Sequence, residues 1–415
     1  MEWAMRLPDL VHRVGGLGRQ RLILLGTLTA GHVVVHWYQV LFSLVIPSLK
    51  ADLALSDVQV GTLSTTRQAV STAFNLPSGY LADSYRRQTS LILASALAAF
   101  GLGYFLVGIV PSYGWALPAV ALAGLGSALW HPAAIGSLSL RFSERRGMAL
   151  SVHGTGASIG DAIAPIAVGA LIGAFAWNSV LRWHLIPALV AAVLIWRSLG
   201  RTYQDGQAVK PSMRSYVQGL RGLVTNRQVL AVIGANAFMG QANIVILTFF
   251  PIYIRETLGY SSFVLGVFVS LLYLLGAVSQ PIMGTLSDRF GRKAVMLPSF
   301  GMMGLLYIAL VFAPKGVPLA LVVAALGLFF YAVANVTTSA VMDVAGERVQ
   351  SSTMGVMSLF SQPFTLTAPI IAGIMVGLFG IKIVFWYSAV AALTACVVLI
   401  PVRFHRVTGA SGGPH

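Results

Sequence analysis

Six ionisable side chains sit inside apolar runs of this sequence: His32, His36, Arg67, His131, His153 and Asp161. An ionised group at the middle of a membrane helix costs about 3 kcal/mol or more, so such residues usually face water, a partner or a cargo. A carboxyl and neighbouring imidazoles can take up and hand on a proton near neutral pH. His32 and His36 are four residues apart and share one helical face, which Gln39 continues. The chemistry on offer is therefore proton transfer, with Asp161, His131 and His32 as the coupling groups. An imidazole and carboxylate set, His32, His36, His131 and Asp161, is also a donor set for a divalent transition metal, the alternative reading. Arg67 supplies a cation for Asp161 or for an anionic cargo.

The elements that must position these groups are membrane helices. The chain has 415 residues, 57% apolar and 9% charged, against about 25% charged in a soluble domain. Twelve apolar helices are predicted, at 21–47, 58–80, 89–110, 115–140, 147–175, 182–200, 228–250, 262–284, 294–313, 318–342, 352–378 and 382–403. At 1.5 Å per residue His32 lies about 16 Å into the first, His131 about 14 Å and Asp161 about 20 Å into the fourth and fifth, near mid-membrane depth. His153 lies only about 9 Å in, nearer a mouth. Pro132, Pro165, Pro281 and Pro363 fall inside helices and are expected to bend them.

Of the Lys and Arg residues, 21 fall on one set of alternate loops and 5 on the other. That asymmetry predicts both termini on the cytoplasmic side of a plasma (bacterial inner) membrane. It also accounts for the formal charge of +15 without a nucleic-acid partner. No cleavable signal peptide is expected, because the first apolar run is too long for one. The single cysteine, Cys396, excludes an intramolecular disulfide. The polar stretch after Gly200 divides the chain into an N-terminal six-helix bundle (1–200), a linker (201–227), a C-terminal bundle (228–403) and a disordered tail (404–415).

A duplication supports two like halves. GYLADSYRRQ (79–88) and GTLSDRFGRK (284–293) are offset by 205 residues, and Glu144–Arg145 and Glu347–Arg348 by 203. GTLSDRFGRK resembles the G-x-L-x-D-R-x-G-R-K loop of the major facilitator superfamily at Gly284, Leu286, Asp288, Arg289, Gly291, Arg292 and Lys293. The first copy keeps Gly79, Leu81, Asp83 and Arg87 and departs at Ser84, Arg86 and Gln88. Within that superfamily, Gly31–His32, Tyr38–Gln39, Pro47–Ser48–Leu49 and LWHPAA (129–134) resemble the fosmidomycin-resistance group of exporters. His36 stands where that group often has an acidic residue.

The resemblance implies an all-α membrane protein of twelve transmembrane helices in two pseudo-symmetric six-helix bundles. It implies a substrate cavity reached by His32, His36, Gln39, Arg67, His131 and Asp161 from the first half and by Asn236, Asn243, Tyr331 and Asn335 from the second. Gating falls to the loop groups Gly79, Asp83, Arg87, Glu144, Arg145, Gly284, Asp288, Arg289, Arg292, Glu347 and Arg348. The expected activity is alternating-access, proton-coupled efflux of a small amphipathic or anionic compound. The partners are protons, lipid and that small molecule, with a monomer as the working form. No cofactor is expected beyond a proton gradient. An intramembrane enzyme is disfavoured: the chain has neither a G-x-S-x-G elbow nor an H-E-x-x-H motif.

Overall fold

In lipid a backbone must satisfy its own hydrogen bonds, so apolar runs of this length become helices. A computed structural model describes residues 18–200, 226–345 and 350–402, and every regular element among them is helical. We number the α-helices α1 Arg19–Asp52, α2 Asp57–Ser84, α3 Thr89–Val107, α4 Tyr113–Arg141, α5 Arg146–Ala174, α6 Trp177–Trp183 and α7 Leu185–Gly200. The second half holds α8 Arg227–Ile252, α9 Ser262–Phe290, α10 Arg292–Phe312, α11 Val317–Phe330, α12 Ala332–Ala345, α13 Gln350–Phe379 and α14 Ile383–Leu399. With α6–α7 and α11–α12 each counted as one crossing, the expected twelve are present. Among the described residues nine helical segments are long and apolar enough to span a membrane alone.

Local chemistry sets the ends. Ser56 and Gln59 form a reciprocal capping box at the start of α2, with hydrogen bonds of 3.2 and 2.9 Å. Gly291, at φ +95°, adopts the left-handed turn that starts α10 inside the loop signature. Two crossings differ from expectation by being broken. The sixth begins earlier, at Trp177, and breaks at His184, because Pro187 cannot donate to the Trp183 carbonyl. The tenth breaks at Tyr331, one turn after Gly327. The seventh runs on as a π-turn over Tyr253–Thr257, and the twelfth stops at Leu399. Pro132, Pro165 and Pro281 lie within continuous helices, as does Pro363.

The outer faces of the helices carry large apolar side chains, as expected where lipid replaces water, while the packed faces mix small residues with large buried ones such as Trp130 and Phe100. On α7, Ile186, Leu189, Val190, Val193 and Leu194 are exposed, while Ala188, Ala192 and Leu199 are buried. Packing divides the chain into two compact units. Among the described residues the first comprises 18–200, Leu247–Leu274 and Leu366–Ile383; the second comprises 226–246, 275–345, 350–365 and 384–402.

The first unit contains α1–α7 and is stitched by glycines. Gly156 and Gly160 of α5 face α1 so closely that an added Cβ would lie 2.4 Å from the Thr29 carbonyl and 2.5 Å from the Val33 carbonyl. Gly31 of α1 accepts the fully buried Trp130 ring in the same way. In this unit Gly61 abuts the Pro369 carbonyl and Gly266 the Pro165 carbonyl, each leaving no room for a side chain. Gly373 meets Asp57, and Gly169 meets Ser262, likewise backbone to backbone. Lys50 pairs with Asp57 and Glu256 at 2.8 and 2.9 Å beside these contacts.

The second unit buries Met296, Phe300, Tyr307, Val323, Phe330 and Phe385. Tyr387 donates to Gln241 at 2.6 Å, and Lys293 binds the Ile400 and Val402 carbonyls beyond α14. The expected tail and nearly all of the expected linker lie outside the described residues.

Candidate functional site

Four histidines and one carboxyl meet inside the first unit. α1 supplies His32 and His36 from one face, α4 supplies His131, and α5 supplies His153 and Asp161. His36 Nδ1–H donates to Asp161 Oδ2 at 3.0 Å, with both side chains less than one-fifth exposed. His32 Nδ1–H donates to the His153 carbonyl at 2.9 Å, and His131 Nδ1–H to the Ser127 carbonyl at 3.0 Å. The His32 ring is 4.6 Å from His36, 5.5 Å from His131 and stacked on His153 at 4.0 Å, centroid to centroid. Gln39, one turn on from His36, donates to Ser127 Oγ at 3.0 Å. Gly156 and Gly160 make this possible, since they bring α5 against the turns that carry His32 and His36.

Three placements go beyond the sequence reading. His153 is in the cluster, where counting from the helix end puts it near a mouth. Gly156 seats α5 against the Thr29 carbonyl and His32 Cβ, which brings the His153 ring onto that of His32. Arg67 does not pair with Asp161, whose partner is His36. Its guanidinium stands over the Phe42 ring at 4.8 Å, its Nε is buried without a hydrogen bond, and no carboxylate is within ion-pair distance among the described residues. His184, unremarked in the sequence, occupies the α6–α7 break. It accepts from Trp37 Nε1–H at 3.0 Å and donates from Nδ1 to the Val180 carbonyl at 2.7 Å, which fixes a neutral tautomer.

The remaining expected residues lie as follows where they are described. Asn243 donates to the Phe330 carbonyl and accepts from Tyr307, both at 3.3 Å. Asn236 is half-buried on α8, and the Tyr331 ring meets Phe330 at 5.0 Å. In the loops, Asp288 pairs with Arg292, Arg289 lies over Phe290, and Glu144 pairs with Arg21. Asp83 and Arg87 are exposed, Gly79 faces Pro132 at ordinary contact distance, and Gly284 has open space around it. Arg145 follows Glu144 in a short 3-10 turn. Glu347 and Arg348 lie outside the described residues, as does the Asn335 side chain.

The glycine contacts carry a signal the sequence holds but the loop repeats do not reveal. Ala164–Pro165–Ile166 with Gly169 and Ala368–Pro369–Ile370 with Gly373 are the same pattern at an offset of 204. Their partners Gly61 and Gly266 are offset by 205, as are Asp57 and Ser262. Two independent contacts of the first unit are thus copies of one another.

The Major Facilitator Superfamily model matches residues 28–362 and, in a second alignment, 232–414. The chain belongs to the Major Facilitator Superfamily. It is a transporter and not an enzyme. Relatives of this transporter include the fosmidomycin resistance protein of Escherichia coli (strain K12), 24% identical over 66% of this chain and 67% of that one. The multidrug resistance efflux pump PmrA of Streptococcus pneumoniae is 31% identical over 39% of this chain and 43% of its own. Among solved structures, a bacterial homologue of the human lysosomal transporter Spinster, in an inward-facing occupied conformation, superposes with a TM-score of 0.76. It is 16% identical and is covered over 97% of its length by 92% of this chain. The transporter is an integral membrane protein, as its helices and family require.

Proposed function

We propose that this transporter is a proton-coupled exporter that exchanges a small anionic or amphipathic compound for protons by alternating access. The observation that carries the reading is the Asp161–His36 pair, a shielded carboxyl bonded to an imidazole across α5 and α1. When Asp161 takes a proton, the carboxylate acceptor becomes an acid and the His36 contact loses its charge assistance. The protonation state of α5 is thereby felt on α1. Cargo that binds one state better than the other is then exchanged for the proton by linkage. Arg67, with no carboxylate within ion-pair distance among the described residues, is the counter-charge for an anionic cargo. The efflux relatives support the outward direction. On the strength of the loop charges, both termini are cytoplasmic in a bacterial inner membrane, and the loop ion pairs Asp288–Arg292 and Arg21–Glu144 act in gating. The working unit is a monomer, and the gradient is the only energy source.

Inverted vesicles test the reading with fosmidomycin and a panel of amphipathic drugs as probes. Asp161→Asn should abolish accumulation driven by an imposed pH gradient while leaving exchange at equal pH intact. Gradient-driven accumulation at the wild-type rate in that variant removes the pair from the mechanism.

A further inference from the structure

The histidine cluster has a property that proton transfer leaves unused. In His32, His36 and His131 the Nδ1 atom is committed to an oxygen, so the proton sits there and Nε2 keeps its lone pair. His32 Nε2 is buried with no hydrogen-bond partner, and a buried acceptor left this way calls for an explanation. One ring nitrogen from each of the three residues lies within 4.8 Å of those of the other two. Three neutral imidazoles from two helices, each braced through its second nitrogen, are how proteins present histidine to a metal. The brace on His36 is a carboxylate, which raises the basicity of the ligand nitrogen and offsets part of a cation's charge.

We propose that His32, His36 and His131 bind a divalent cation of the zinc class through Nε2, with a fourth position left open. The ion is a bound ligand of the N-terminal helices and not the cargo, so the inference goes beyond the exporter reading. Nitrogens about 2.0–2.1 Å from a tetrahedral zinc stand roughly 3.4 Å apart, so the rings close by an ångström or so as the metal enters. His32 and His36, a single turn apart on α1, need only side-chain rotation for this. The donor set is borderline and has no thiolate, which suits zinc or cobalt better than a soft monovalent ion. Bound metal fixes the His36 ring against Asp161 and holds both out of proton exchange.

The full chain, purified through a tag without histidines, is titrated with cobalt(II) and then zinc(II). The expected result is a tetrahedral cobalt absorption band saturating at one equivalent and bleached by zinc. X-ray absorption of the zinc form should show three imidazoles at about 2.0–2.1 Å. His131→Asn should eliminate the band, and Asp161→Asn should weaken binding about 10–100-fold, the range typical of a lost brace. Replacing His12, His405 and His415 together should change nothing. No one-equivalent band, a zinc shell without three imidazoles, or binding lost only with the terminal histidines would each overturn the proposal. None of these readouts depends on transport, so they stand apart from the fate of Asp161→Asn in vesicles.

Discussion

Gly160→Ala is the smallest change that should disconnect Asp161 from α1. The added methyl would lie 2.5 Å from the Val33 carbonyl and 3.0 Å from His36 Cβ. Ordinary contact needs about 3.5 Å, so α1 and α5 must part by about 1 Å at this level. The His36–Asp161 hydrogen bond, 3.0 Å long, would then open to roughly 4 Å, past the range where it holds. Forcing a methyl between packed helices costs about 1–3 kcal/mol, and a charge-assisted bond lost on burial about 1.5–3 kcal/mol. A destabilisation of about 3 kcal/mol is expected, together with loss of gradient-driven flux. Gly154→Ala is the matched control on the same helix, because nothing lies within 4 Å of its added Cβ. That variant should be neutral or gain up to about 1 kcal/mol from helix propensity. Thermal melts in detergent and vesicle flux, measured side by side, decide the matter. If Gly160→Ala melts with Gly154→Ala and transports normally, the close approach does not hold the pair together.

Other perturbations follow from the same geometry. Arg67→Gln should weaken binding of an anionic probe tenfold or more in a ligand-stabilisation assay, while a neutral amphipathic probe binds as before. Equal loss for both probes would point to a packing role over Phe42 instead. His184→Leu should leave the Trp37 indole N–H without its acceptor, lowering stability by about 1–3 kcal/mol with a shift in tryptophan emission. Unchanged emission and melting would mean that the α6–α7 break does not rely on that contact.

The helices were legible because lipid leaves so little choice: apolar runs of about 20 residues between basic loops must be crossings. The breaks were harder. Pro187 stood in plain view, but a proline near a helix start reads equally as an ordinary first-turn residue, and only packing showed a separate α6 before it. The coupling pair was half legible. Asp161 and His36 each stood out as ionisable groups in apolar runs, but their partnership depends on Gly160, whose role is visible only once α1 lies against it. Arg67 was read as a cation for Asp161 or for an anionic cargo; Asp161 takes His36 instead, and the guanidinium lies over the Phe42 ring. That His153 joins the cluster depends on Gly156 seating α5 against α1, a contact that counting along one helix does not show.

Gly61 on the Pro369 carbonyl and Gly266 on the Pro165 carbonyl repeat one contact with the roles of the two halves exchanged. A single ancestral polypeptide of six helices, meeting a second copy of itself, would already have closed this seam twice over. Joining two such copies would need no new chemistry there, only a tether. Each glycine is now held to its place by a partner far off in the chain, 308 residues away for Gly61 and 101 for Gly266, so a bulkier residue at either end must await a matching retreat at the other.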